Sequence, residues 1–134
     1  MQELLRTPHL HGRLDLSRRL VVVERSAVAF QTLAEMVGAF DALDKSLTHV
    51  RRQGLVLLID TRKGPLRNDP EFERVFAGIR QRLNAGYDRI AVIVNGTLGN
   101  LQVERHARSD QQTSVRAFSS LEPALAYLEI KGGL

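Results

Sequence analysis

Leu55-Val56-Leu57-Leu58-Ile59-Asp60 is the stretch on which the fold turns. Its five consecutive aliphatic residues leave no polar face, and Gly54 and Thr61 bound it. A strand of this kind is buried on both sides, as in a parallel sheet covered by helices. Leu20-Val21-Val22-Val23-Glu24 upstream and Arg89-Ile90-Ala91-Val92-Ile93-Val94 downstream have the same character.

The segments between these strands carry helical spacing. Phe30, Leu33, Val37, Phe40 and Leu47, joined by Met36 and Leu43, share a face over Val28–Val50. Ser26 is the expected N-cap there, and Arg51-Arg52-Gln53-Gly54 is the stop signal. The next helix is marked by Asp69 as N-cap, Pro70 at its first position, and Glu71 and Glu73 at the positive end of the dipole. Its apolar stripe is Phe72, Val75, Phe76, Ile79 and Leu83, and Asn84-Ala85-Gly86 ends it. A weaker helix is expected over Leu98–Ser109, then a strand over Ser114–Phe118. Ser119-Ser120-Leu121-Glu122 reads as a capping box for a last helix carrying Leu121, Ala124, Leu125 and Leu128. At the other end, Arg13–Leu16 reads as a short edge strand joined to Leu20–Glu24 through the turn Ser17-Arg18-Arg19. Residues 1–11 show no periodicity and read as a flexible extension or the approach to the first strand.

The resulting order is β-β-α-β-α-β-α-β-α. It predicts an α/β fold with a mixed, mainly parallel sheet of about five strands, about four helices and an antiparallel edge. The 134 residues suit one domain over 1–134.

Composition removes several function classes. The chain has no cysteine, so disulfides, thiolate metal sites and cysteine nucleophiles are excluded. It has no tryptophan and 5% aromatics, too few for a base-stacking platform. The net charge of +4 is spread along the chain with no basic arm, so nucleic acid is not an expected partner. His9, His11, His49 and His106 lack ligand spacing, and neither a metal nor a cofactor is expected. The N-terminal residues 1–8 lack a signal-peptide pattern, and Leu55–Ile59 is far short of the roughly 20 apolar residues needed to span a bilayer. A cytoplasmic location is therefore expected.

The chain resembles the STAS-like superfamily, and more narrowly the SpoIIAA-like (STAS/SEC14-type) proteins of bacteria. The resemblance rests on Leu20–Arg25, on Leu55–Asp60 with its terminal aspartate, on Arg89–Val94, and on the closing Ala117-Phe118, Leu121-Glu122, Ala124 and Leu128. It covers residues 12–129. It implies a STAS-like domain that works by protein–protein binding in bacterial cytoplasmic signalling and regulation, without catalysis. Anti-sigma-factor antagonists of that superfamily bind a partner around a helix that begins after a strand. Phosphorylation of a Ser or Thr at that helix start breaks the complex. The matching segment here, Asp60–Pro70, has no serine at the helix start, and Thr61 is its only hydroxyl. The SEC14-type relatives imply a second reading, a carrier or sensor of a lipid or of a small apolar or anionic ligand.

Asp60, Arg62, Lys63, Arg67, Asp69, Glu73 and Arg74 concentrate charge around one strand-to-helix junction and form the expected partner-binding surface. Arginine forks there would suit carboxylate or phosphate. The alternative is local pairing of Arg67 with Asp69, and of Asp60 with the loop backbone. Gly96, Thr97 and Gly99 open a helix after a strand, so they are an expected anion-binding turn or simply a tight turn. An enzyme, the third reading, would assemble Asp60, Arg62, Thr97 and His106 at the strand ends. Val28, Ala29, Ala39 and Ala42 give the first helix a second apolar side, suited to a homodimer surface or an apolar groove.

Overall fold

The strand order never reverses. In the computed structural model, which describes residues 1–65 and 69–134, six strands lie side by side in chain order. The elements are β1 (Gln2–Arg6), β2 (Leu10–Asp15), β3 (Leu20–Arg25), α1 (Leu33–Ser46), β4 (Val56–Asp60), α2 (Pro70–Asn84), β5 (Arg89–Ile93), α3 (Gly96–Ser109), β6 (Val115–Phe118) and α4 (Leu121–Tyr127). The strands β1 to β3 pair antiparallel, and β3 to β6 pair parallel.

Right-handed crossovers that keep stepping in one direction place their helices on one face of the sheet. Accordingly, residues of α1, α2 and α3 share a core with Val21, Val23, Leu57, Ile90 and Val92. The opposite face, with Leu20, Val22, Leu58, Ala91 and Ile93, is covered by α4 through Ala124, Leu125 and Leu128. Tyr127 ties α4 down: its carbonyl accepts from Arg89 Nη1 at 2.7 Å, and its hydroxyl donates to the Ser114 carbonyl at 2.6 Å. The central strands are thus buried on both sides, as their continuous apolar runs require.

Four local expectations are corrected. Residues 1–11 are no extension: they hold β1 and the start of β2, and β1 rather than Arg13–Leu16 is the edge. A register shift between Glu3 and Leu5 makes a bulge. Leu4 and Leu5 both pack against the core, so the alternation that marks a strand is lost from the sequence. The first long helix begins at Leu33 and not near Val28. Its N-cap is Thr32, whose Oγ1 accepts from Glu35 N at 3.1 Å, while Glu35 Oε1 accepts from Gln31 N at 3.2 Å. Ser26 instead donates to the Pro8 carbonyl. Asp69 does stand at the N-cap of α2, but its side chain makes no capping bond. Ser120 is the N-cap of α4, also without a side-chain cap, while Ser119 Oγ accepts from Asn100 Nδ2 at 3.1 Å.

Two glycines let α3 lie close to β5. Gly96 has φ +72°, which side chains disfavour, and a Cβ on Gly99 would stand 3.0 Å from Val94 Cβ. Gly99→Ala should therefore push α3 outward and cost about 1–3 kcal/mol, read as a lower urea midpoint. An unchanged midpoint would remove this account of the contact.

Candidate functional site

Three helices in a row on one face do not close completely over the sheet. Beneath them is a cavity of about 340 Å³. Its floor is Val23, Ile59, Val92 and Val115, β-branched side chains from four adjacent strands, with Val94 just beyond β5. Its walls are Met36 and Phe40 of α1, and Phe72, Phe76 and Leu83 of α2. From α3 come Gly99, Val103 and Ala107, which are too short to reach across.

At the carboxyl ends of the strands the cavity is bordered by Arg25, Thr61, Gly64, Pro65 and Asn95. Arg25 stacks over Phe30 at 4.3 Å and donates to the His9 and Val28 carbonyls at 2.9 and 3.2 Å. Burial holds its guanidinium below the usual arginine range. His9 stacks on Phe30 at 4.6 Å, so residues that precede α1 are fastened over this end. Thr61 Oγ1 donates to the Ile93 carbonyl at 2.8 Å, and Asn95 Nδ2 donates to the Arg62 carbonyl.

A polar seam runs along the cavity between α2 and α3. The spacing Glu73, Arg80, Asn84 on one helix faces Gln102, His106, Asp110 beside the other, and all six line the cavity. Arg80 Nε and Nη2 donate to the two carboxylate oxygens of Asp110 at 2.6 and 3.1 Å. The Asp110 side chain is only 4% exposed. Hydrogen bonding from Arg80 lowers its pKa against the opposing effect of burial. Glu73 Oε1 accepts from Gln102 Nε2 at 3.2 Å and lies 3.5 Å from Arg105 Nη2. His106 has a lowered pKa, chiefly from burial and then from Arg80 and Arg105, so its ring is neutral near pH 7.

The expected partner-binding residues divide. Asp60 and Arg62 close on each other: Nε and Nη2 of Arg62 donate to Asp60 at 3.0 and 2.8 Å, and Arg62 N donates to the same carboxylate at 3.1 Å. Burial raises the Asp60 pKa, but the bonds from Arg62 outweigh it and leave it lowered. Glu73 turns to the cavity seam, whereas Lys63 and Arg74 are exposed. Arg67 lies outside the described residues. Gly96 and Thr97 are exposed at the start of α3, while Gly99 is buried against Val94. Of the four residues an enzyme reading gathers, Asp60 and Arg62 sit at the end of β4 and Thr97 at the exposed start of α3, whereas His106 lies in the seam towards the other end of α3. Among the described residues, no cluster of three or more His, Asp or Glu is placed to hold a metal ion, and no helix is long and apolar enough to cross a membrane.

The seam was not read from the sequence, where Glu73 belongs to the expected partner-binding surface and Asn84 to the helix stop signal. The i, i+7, i+11 spacing of Glu73, Arg80 and Asn84 was the available signal, since it puts all three on one stripe.

No protein-family model matches the chain, and no curated protein matches it. Among solved structures it is similar to an uncharacterized protein of the DUF3478 family with a SpoIIAA-like fold from Shewanella loihica PV-4. The identity is 15%, the TM-score is 0.63, and the match covers 92% of this chain and 98% of that one. The chain has a SpoIIAA-like, STAS-like α/β fold, with six strands where about five were expected.

Because Arg80 holds Asp110 ionised, the pair stabilises the fold fully above the ordinary aspartate value of 3.8 and loses that effect as pH falls through the lowered value. Asp110→Asn should cost about 3 kcal/mol at neutral pH. It should also flatten the fall in stability as pH drops through and below the ordinary aspartate value of 3.8. Urea titrations across that range check both; parallel pH profiles for the two proteins would exclude the pair as their source.

Proposed function

We propose that this chain is a non-catalytic binding module that holds a small, mostly apolar molecule in the cavity between the sheet and α1, α2 and α3. The cavity itself carries the reading. Its size falls in the range of ligand pockets, and its make-up is theirs: a largely apolar lining with a few polar groups at its borders.

The reading as a partner-protein module of bacterial cytoplasmic regulation draws on a narrower observation. Arg62's fork is occupied by Asp60, but Lys63 is exposed after β4, near in the chain to Pro65 of the cavity border, and Glu71 and Arg74 are exposed in the first turns of α2. A partner docked there would feel whether the cavity is occupied, which makes the module a sensor.

The test is fluorescence titration with the neutral apolar dye N-phenyl-1-naphthylamine. The wild-type protein is expected to enhance its emission saturably. Val92→Phe, which projects a ring into the cavity from its floor, should weaken dye binding at least about tenfold while leaving the denaturation midpoint equal or higher. Unchanged dye affinity in a folded Val92→Phe protein would rule the cavity out as the site.

A further inference from the structure

Arg25 brings a charge to the cavity that no carboxylate among the described residues answers. The other ionisable groups lining the space are matched or neutral: Arg80 holds Asp110, Glu73 lies 3.5 Å from Arg105, and the His106 ring is neutral near pH 7. The carboxylates of the elements around Arg25 are engaged elsewhere. Glu24, beside it in the chain, pairs with Arg13; Asp60, opposite Glu24 across the β3–β4 pair, closes on Arg62; and Glu35 lies 3.4 Å from His9. Among the described residues Arg25 bonds only to the backbone, at the His9 and Val28 carbonyls, one from each Nη.

Those two bonds leave Nε–H and part of each Nη without a protein acceptor among the described residues. Unlike Arg13 Nε and Asn84 Oδ1, Arg25 Nε is not sealed from solvent. Gly64 on the same border has no side chain to cover it: a Cβ there would stand 3.4 Å from Nε. A guanidinium held partly out of water without a countercharge is unfavourable, and burial alone lowers the pKa of this one. We propose that Arg25 anchors the carboxylate of an amphipathic acid whose apolar body lies over the β-branched floor. A charge-assisted bond to Nε would supply the missing acceptor. Because Arg25 stands on the border of the cavity, the carboxylate keeps part of its hydration. One guanidinium balances one negative charge. A phosphate monoester, at about −1.5 to −2 near pH 7, would bring an excess into a largely apolar lining. At about 30 Å³ per water-sized unit, the 340 Å³ accommodates roughly a dozen non-hydrogen atoms. The inference rests on the cavity being a ligand site and goes beyond it in naming the ligand's head group and its anchor.

Four probes sharing a nonyl-length chain separate the chemistries: nonanoate, nonanol, nonylamine and nonyl phosphate, each titrated at neutral pH as a competitor of N-phenyl-1-naphthylamine. In the wild-type protein, nonanoate should displace the dye at a concentration at least about tenfold lower than the other three. Arg25→Gln should remove that preference and leave nonanol within about twofold. Equal displacement by nonanoate and nonanol, tighter binding of nonylamine or nonyl phosphate, or a nonanoate preference that survives in folded Arg25→Gln overturns the assignment. If Arg25→Gln does not fold, phenylglyoxal labelling of the wild-type protein, read by peptide mass spectrometry, decides. Saturating nonanoate should slow the labelling of Arg25, and an unchanged rate overturns the anchor. A dye that does not bind at all, or that binds unchanged in folded Val92→Phe, overturns the cavity reading beneath, so the two failures are distinct.

Discussion

Everything in this molecule follows from the one-way stepping of its parallel strands. A crossover chain that reverses direction puts helices on both sides of a sheet and opens a crevice where the order turns back. Here β3, β4, β5 and β6 follow one another without reversal, so α1, α2 and α3 crowd one face and α4 alone seals the other. A strand-end site in the manner of a doubly wound fold has no switch point on which to form. Space is left instead under the crowded side, where the floor is built from β-branched side chains.

Two borders of that space are held differently. Towards the carboxyl ends of the strands, aromatic stacking and backbone-directed bonds fix the covering segments: His9 on Phe30, Arg25 on Phe30 and on two carbonyls. Between α2 and α3 the fixing is ionic, with Arg80 reaching Asp110 from one helix to the end of the other. A purely apolar seam would draw the helices inward over that floor. A bidentate pair of fixed reach, desolvated on both sides, sets a separation that packing alone does not.

The sequence was a good guide where burial dictates pattern. Leu55–Asp60 and Arg89–Val94 have no polar face to hide, so the central strands and their parallel pairing could be read directly, and with them the α/β class. It was a poor guide where one geometric device replaced another. The bulge between Glu3 and Leu5 turned two adjacent leucines inward and erased the strand signal of β1. Thr32 with Glu35 was the true cap signal for α1, but the apolar residues at Val28 and Phe30 drew the helix start upstream. The charged junction at Asp60–Arg74 was visible as composition, whereas its internal closure of Arg62 on Asp60 depends on coordinates. The cavity was the least legible feature. A missing volume leaves no residue behind, and it arises only when β-branched side chains from four strands meet short side chains from α3.

The bulged first strand also governs how the sheet meets other molecules. A flat, regular outer strand presents a row of unpaired amides and carbonyls that recruits further strands and seeds aggregation. The outermost strand here breaks its own repeat beside Glu3, which is engaged by Arg6 and His11. The opposite margin, β6, is four residues long and carries an exposed Arg116. Both margins are thus poor templates for strand addition, so the sheet ends where the chain ends it.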